Sequence, residues 1–391
     1  MNTQTVYRAY KTELKPTQEQ KILFLKAAGV ARFAWNWGLK RRIEEYQNTG
    51  KSSGYIEQSR QLNAIKAIEF PWMYEVSSHI SQESLRDLEK AYQNFFRRVK
   101  NKEKAGFPKF KSRKKGIGHF RLKQNIHVSE KHIQLPRIGK VRLKQANYLP
   151  NDAKILSATV SEKAGRWFVS VQVEEIIPIL CPTGEPVGID LGIKTMAVVS
   201  DGQVFQNPRA LYRYERKLAK LQKKLARQKL TSNRRKKTKT DITKVYYHVA
   251  NIRKDAINKA TSSIVARNKP ENKRPSVIVI ENLNVSGMVK NRKLSKAVSN
   301  VGMYEFKRQL EYKVKWYGGN IILADRFFPS SKTCSSCGYI KPLLKLSERV
   351  FKCENCGVEI DRDYNAALNL KKLAVGSPDS INGRGVSVRL V

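Results

Sequence analysis

The chain has 391 residues, which at about 150 residues per domain is room for two or three domains. Hydrophobic residues make up 40% of it, so wholesale disorder is excluded. Lys and Arg number 76 against 33 Asp and Glu, a formal charge of +43; so large a charge repels itself in a compact state, and a polyanion such as nucleic acid is the partner that relieves it.

No apolar run reaches the ~18 residues of a membrane span. The N-terminal stretch MNTQTVYRAYKTELKPTQ lacks an apolar signal core, so no secretion signal is expected. In chain order, Val6 to Leu14 reads as a first strand. Pro16 and Thr17 open a helix, with Thr17 and Gln20 in capping-box positions. Ile22, Leu25, Val30, Phe33 and Trp37 carry it towards Tyr46, and Asn48-Thr49-Gly50 stops it. A second helical pattern runs from Gln82 to Lys100, with Leu85, Leu88, Tyr92, Phe95 and Phe96 on one side.

The texture then changes. Phe107 and Phe110 interleave with Lys109, Lys111 and Arg113, a mixture in which rings stack on unpaired bases while cations hold phosphates. The same two Phe also fit a turn with core anchors. Short β-type segments follow at His119–Leu122, His132–Leu135, Lys140–Leu143, Ile155–Ser161 and Trp167–Glu174. In the last, Val169, Val171 and Val173 alternate with Ser170 and Gln172, as in a half-buried strand. A small barrel with a helical insertion is expected. Pro178 to Pro186 reads as a linker, with Cys181 as a small apolar residue near the joint.

From Pro186 the expected order is three strands, a long helix, a strand, a helix, a strand, a cysteine module and a final helix. The strands are Val187–Leu191, Thr195–Val199 and Gln203–Phe205, with Asp201-Gly202 as a hairpin turn. Tyr212 to Ala266 is one long basic helix or a hairpin broken at Thr231–Thr240. Within it Arg234, Arg235, Lys236 and Lys237 form a run without acids, expected to contact phosphates. Ser276–Ile280 and Asn320–Ala324 are strands, and Met303–Gly318 is a helix. The tail beyond Val375 is polar and Gly-rich, and is expected to be flexible.

Three acids stand in apolar contexts where an isolated charge is costly. Asp190 lies in the run Val187-Gly188-Ile189-Asp190, Glu281 follows Val277-Ile278-Val279-Ile280, and Asp363 sits at the start of the last helix. Taken singly, Asp361 and Asp363 also fit helix N-caps, Glu281 a cap of the Asn282–Val285 turn, and Asp190 a turn residue. Together they fit ligands for Mg²⁺ or Mn²⁺, because two such ions ~3.5–4 Å apart assist phosphodiester hydrolysis. Cys334-x-x-Cys337 and Cys353-x-x-Cys356, separated by Gly338 through Lys352, have zinc-ribbon spacing. Four thiolates close a structural Zn²⁺ site with no open position. The five histidines are scattered, and none is assigned to catalysis.

The strand and helix order, with acids in its first strand, its fourth strand and its final helix, matches the RNase H fold. Gly188-Ile189-Asp190-Leu191-Gly192, Ile280-Glu281-Asn282-Leu283, the two Cys pairs and Asp363-x-Asn365-Ala366-Ala367-x-Asn369 resemble the TnpB (OrfB) proteins of insertion sequences, a family similar to type V CRISPR effector nucleases. Ala31-Arg32-Phe33-Ala34-Trp35-Asn36 and Lys104-Ala105-Gly106-Phe107-Pro108-Lys109-Phe110 extend the resemblance over nearly the whole chain. It implies an α/β and β multidomain fold: a WED barrel at 1–15 and 113–183, a helical REC insertion at 16–112, a RuvC-like nuclease at 184–329 and 358–373, a zinc-ribbon insertion at 330–357 and a flexible tail at 374–391.

The resemblance further implies a cytoplasmic, nucleoid-associated prokaryotic ribonucleoprotein, monomeric, that carries a guide RNA and cuts double-stranded target DNA beside a short motif. Asp190, Glu281 and Asp363 would be its catalytic acids. Tyr55, Ser59, Ser78 and Gln82 are candidates for reading the motif, because that region touches the duplex in the family. A nuclease-inactive RNA-guided regulator is the alternative.

Overall fold

The computed structural model describes residues 2–266, 268–345, 347–375 and 389–390. The chain divides into two units, one spanning Gln4–Ile177 and the other Pro178 onward together with the first residues.

The first unit begins with β1 (Thr3–Lys15), followed by α1 (Gln18–Thr49), α2 (Tyr55–Glu69) and α3 (His79–Lys100). Then come β2 (His119–Leu122), β3 (His127–Val128), β4 (His132–Leu135), β5 (Gly139–Leu143), β6 (Lys154–Lys163) and β7 (Arg166–Pro178). Among the described residues the strands lie in the order β2-β6-β7-β1-β5-β4-β3. The three helices are thus inserted after the strand that sits in mid-sheet. The expected capping box is present at Thr17 and Gln20, and Gly50 ends α1 in the left-handed conformation at φ 70°. Val169, Val171 and Val173 are fully buried and pack with Phe24 of α1, Phe120 and Trp167 in one core. Trp35 and Leu39 of α1 meet Leu88 and Tyr92 of α3 in a second cluster.

The second unit contains β8 (Val187–Asp190), β9 (Thr195–Val199), β10 (Val204–Gln206), α4 (Ala210–Ala226), α5 (Asn233–Ile264), β11 (Val277–Glu281), α6 (Val285–Lys290), α7 (Ser295–Val301), α8 (Met303–Trp316) and β12 (Asn320–Ala324). It ends with β13 (Val350–Lys352), β14 (Glu359–Asp361), α9 (Arg362–Val375) and β15 (Arg389–Leu390). The main sheet runs β10-β9-β8-β11-β12-β15 among the described residues. β8 and β12 flank β11 in parallel, while β9 and β15 run antiparallel to their neighbours. The uninterrupted apolar run of β11 is explained by burial on both faces. Ile278 and Ile280 face α5, α7 and α8, and Val279 packs with Leu370 of α9 on the other side.

Gly188 is required by that packing: a Cβ there would come within 2.1 Å of the Ala367 carbonyl oxygen. The missing side chain lets α9 lie directly on β8, against the buried Ala366 and Ala367.

The helix break falls earlier than expected, between Ala226 and Asn233 rather than at Thr231–Thr240. Ser232 caps α5 by accepting from the Arg235 N–H at 3.2 Å. Thr238 and Thr240 lie inside the helix, where their hydroxyls donate to the carbonyls of Arg234 and Lys236. Cys181 is exposed rather than apolar packing. The expected flexible tail falls largely on 376–388 and 391, outside the described residues; Arg389 and Leu390 pair with β12. Among the described residues no helix is long and apolar enough to cross a membrane.

Candidate active site and cysteine module

β8 and β11 run in parallel register, with Ile280 opposite Ile189, so the next residue of each strand is an acid, Asp190 and Glu281. Asp363 arrives from the first turn of α9, which crosses β8. The C-terminal ends of adjacent parallel strands are where open α/β sheets bind ligands. Burial, then repulsion from Glu281 and Asp363, drives the Asp190 carboxyl well above the ordinary aspartate range, with Arg362 pulling the other way. Burial raises Glu281 too, opposed by the Ser330 hydroxyl, which donates to its Oε1 at 2.5 Å. Arg362 reaches Asp363 at 3.4 Å.

The competing roles for these acids divide cleanly. Asp361 is the helix cap: its Oδ1 accepts from the N–H groups of Asp363 and Tyr364 at 3.0 and 2.9 Å. Asn284, not Glu281, caps the turn after β11, by accepting from the Gly287 N–H at 3.1 Å. Asp190 ends a paired strand, opposite Val198. That leaves Asp190, Glu281 and Asp363 without a capping role, with Glu281 and Asp363 near enough to raise the Asp190 carboxyl. Crowded, desolvated carboxylates fit a hard divalent cation, whose charge would offset their repulsion.

Beside them lies the cysteine module. Cys334, Cys337, Cys353 and Cys356 hold their sulfurs within 4.8 Å of one another, the one such group of metal-ligating atoms among the described residues. Cys334 and Cys356 sulfurs are 3.6 Å apart, and those of Cys337 and Cys353 are 3.5 Å apart. Zn–S bonds of about 2.3 Å in a tetrahedron require sulfurs about 3.8 Å apart, so the four thiols fit zinc. Each knuckle closes alike, Gly338 N–H to the Cys334 carbonyl and Gly357 N–H to the Cys353 carbonyl, with both glycines at positive φ. A hydrogen bond with the Tyr339 backbone, then one with Asn355, pulls the Cys337 thiol down to about 6, towards the ligand form. Phe351, fully buried, packs with Cys334 and Cys353 as the module's small core.

Two buried asparagines of the C-terminal motif, Asn365 and Asn369, join the module to the acids. Asn365 donates to the Thr333 carbonyl at 2.7 Å and accepts from the Ser335 N–H at 2.9 Å. Asn369 donates to the carbonyls of Ser330 and Thr333 at 2.8 and 2.6 Å. Their spacing of one turn on a helix is the signal that points both amides at one loop.

The remaining candidates are dispersed. Arg234, Lys236 and Lys237 are exposed on the first turns of α5. Arg235 is half-buried and turns to the carbonyls of Leu225, near the end of α4, and Gln228, just beyond it. Lys109, Arg113, Phe107 and Phe110 are exposed, although Phe107 also meets Tyr92 and Phe95 edge-on. Lys111 lies over the Trp35 ring at 3.8 Å, its pKa lowered by burial. Tyr55 starts α2 with Ser59 one turn on, and Ser78 precedes α3 with Gln82 one turn in.

The two units and the cysteine module define an α/β multidomain fold similar to that of solved Cas12f structures. A structure titled "Cryo-EM structure of the Cas12f1-sgRNA-target DNA complex" aligns at a TM-score of 0.53 with 16% identity, over 95% of this chain and 99% of that one. Residues 304–370 match a family model described as "Cas12f1-like, TNB domain". Residues 168–292 match "Probable transposase" and residues 1–51 "Helix-turn-helix domain", both of the OrfB group. Two relatives carry the name "Putative RNA-guided DNA endonuclease". That of Streptomyces pristinaespiralis is 33% identical over 98% of this chain and 92% of its own length. InsQ of Escherichia coli K12 is 32% identical over 94% and 92%. The chain belongs to the TnpB (OrfB) family.

Proposed function

We propose that the protein is an RNA-guided DNA endonuclease, in which Asp190, Glu281 and Asp363 hold divalent metal for phosphodiester hydrolysis. The observation that carries this reading is the crowding of three carboxylates, one strongly raised, at the ends of β8, β11 and the start of α9. The strand order and the acids on it support an RNase H-like, RuvC-type nuclease domain, which we assign to 184–329 and 358–373. The zinc ribbon at 330–357 is its insertion for target binding. The sheet of 1–15 and 113–183 is the WED barrel, and 16–112 is the REC insertion.

Bound Mg²⁺ or Mn²⁺ would supply the activated water and stabilise the leaving oxygen. The chain's own residues set the stage. β8 and β11 fix two carboxylates on a rigid sheet, and the Ser330 hydroxyl orients Glu281. The first turn of α9 brings Asp363 to the same end of the sheet. The strong net positive charge holds guide RNA and double-stranded target DNA through their phosphates. A monomeric ribonucleoprotein in the prokaryotic cytoplasm, associated with the nucleoid, fits this reading.

The test is Asp190→Asn in the full chain. RNA that survives a high-salt wash of the wild type is sequenced, and its variable end defines a matching DNA duplex. Cleavage of that duplex by the wild type, lost in the variant with binding retained, is expected. Binding without cleavage by the wild type would overturn the nuclease reading in favour of a regulator.

A further inference from the structure

In the first unit, a cleft of about 570 Å³ opens beside α1. Its size lies within the range of small-ligand sites. α1 contributes Phe33 and Trp37, one turn apart; Phe33 meets Phe70 at 4.6 Å and Trp72 at 5.1 Å, edge-on. Across the opening stands Phe110. Trp72 and Phe110 are 41% and 53% exposed, so large ring faces stand open to solvent. Arg32 and Lys40 flank the rings, and no acid lines the cleft.

Gly29, within the 32-residue α1, also lines the cleft. Glycine there costs roughly 0.5–1 kcal/mol relative to alanine. Yet a Cβ at Gly29 would meet no atom within 4 Å. The helix therefore shows bare backbone to the cleft at this position, with open space above it.

We propose that this cleft binds an unpaired nucleotide of the guide RNA, with its base stacked on the Phe110, Trp37 and Trp72 side and its phosphates held by Arg32 and Lys40. The proposal rests on the RNA-guided reading above. RNA is favoured over target DNA because folded RNA offers bulged and looped bases, whereas a duplex hides its base faces. Ring faces and cations are what such a base needs. The wall offers little to read a base edge. The Asn36 amide is committed in both directions to the Lys111 backbone, at 2.9 and 2.8 Å, and Arg32 Nη1 donates to the Ile117 carbonyl at 3.2 Å. Binding is therefore tolerant of base identity.

The test uses the full chain and a short fluorescent oligouridine RNA, with Gly29→Leu to fill that space, Phe110→Ala to remove a ring, and Gly29→Ala as a fold control. Gly29→Ala keeps or raises the melting temperature, because alanine is the better helix former. Gly29→Leu and Phe110→Ala each weaken RNA binding roughly 5- to 150-fold, the equivalent of ~1–3 kcal/mol per stacked base. RNA quenches tryptophan emission in the wild type, and Trp72→Phe removes part of that quench. Oligoadenosine binds within a few-fold of oligouridine.

Undiminished affinity in folded Gly29→Leu, while the wild type binds RNA, overturns the cleft alone. A wild type that retains no RNA at all overturns the guided reading instead. Equal binding and quenching by oligothymidine DNA would reassign the cleft to DNA and overturn the commitment to RNA.

Discussion

Within the second unit, two sets of polar ligands lie side by side and are built in opposite ways. The four cysteines come from one short segment, and their knuckles hold the sulfurs at zinc spacing. The three acids are Asp190, Glu281 and Asp363, far apart in the chain, and the buried Asp190 carboxylate is repelled by the other two. The difference teaches what each metal is for. Zinc held by these cysteines would substitute for a core that the module is too small to build. A divalent ion at the acids would stabilise a site that the sheet already holds, and on the proposed reading it would serve the chemistry.

The two sets are nevertheless coupled. β14 ends at Asp361, which caps the helix that carries Asp363. Ser330, on the loop entering the module, holds Glu281, while Asn365 and Asn369 clamp that same loop to α9. A merely structural zinc site would in this way govern the geometry of two of the three acids.

The largest expected effect breaks the comparison on its chemical side. Asp190→Asn should lower cleavage of a guide-matched duplex about a thousandfold or more, since metal-assisted charge stabilisation supplies several kcal/mol. Single-turnover cleavage, with RNA binding as the control, checks this. Next, Cys353→Ser should release zinc and abolish cleavage too, although no cysteine touches the acids. Structural zinc contributes about 10 kcal/mol or more in small domains. Metal analysis beside a melting curve should show the module lost while RNA affinity of the first unit persists.

Gly188→Ala should cost about 1–3 kcal/mol or more, because the new Cβ collides with backbone of α9. Urea unfolding measures the cost, and cleavage should fall with it as α9 shifts.

The fourth prediction sharpens the contrast in metal-free protein. Asp190 has a raised pKa in the folded state, so between the ordinary aspartate value and that raised value the native state binds more protons than the unfolded one. Stability from this group is present at low pH and is lost as pH rises through that window. With chelator present, Asp190→Asn should flatten this fall and raise the melting temperature at neutral pH. The smallest effect belongs to the cap: Asp361→Ala should cost ~1 kcal/mol, read by denaturant unfolding.

Much of this was legible in the residues because it is local. The capping box at Thr17 and Gln20, the alternation of Val169, Val171 and Val173, the β12 run and the cysteine spacing all rest on neighbours in the chain. The helix break was misjudged for a local reason of the opposite kind: Thr238 and Thr240 satisfy their hydroxyls inside the helix, and Ser232 begins it. The acids were legible as expensive residues in apolar settings, but not which carboxylate beside α9 was the cap. That depended on where β14 ends.

By itself the amino-acid sequence determined the polyanion-seeking charge, the cysteine ligand set and the apolar strands that had to be buried, since these follow from composition and short-range spacing. Only the tertiary structure decided that Gly188 admits α9 onto β8, that Asn365 and Asn369 tie the cysteine module to the acids, and that Gly29 lies open on a ring-lined cleft. Each of those depends on the distance between atoms that the chain order leaves far apart, and packing alone sets such distances.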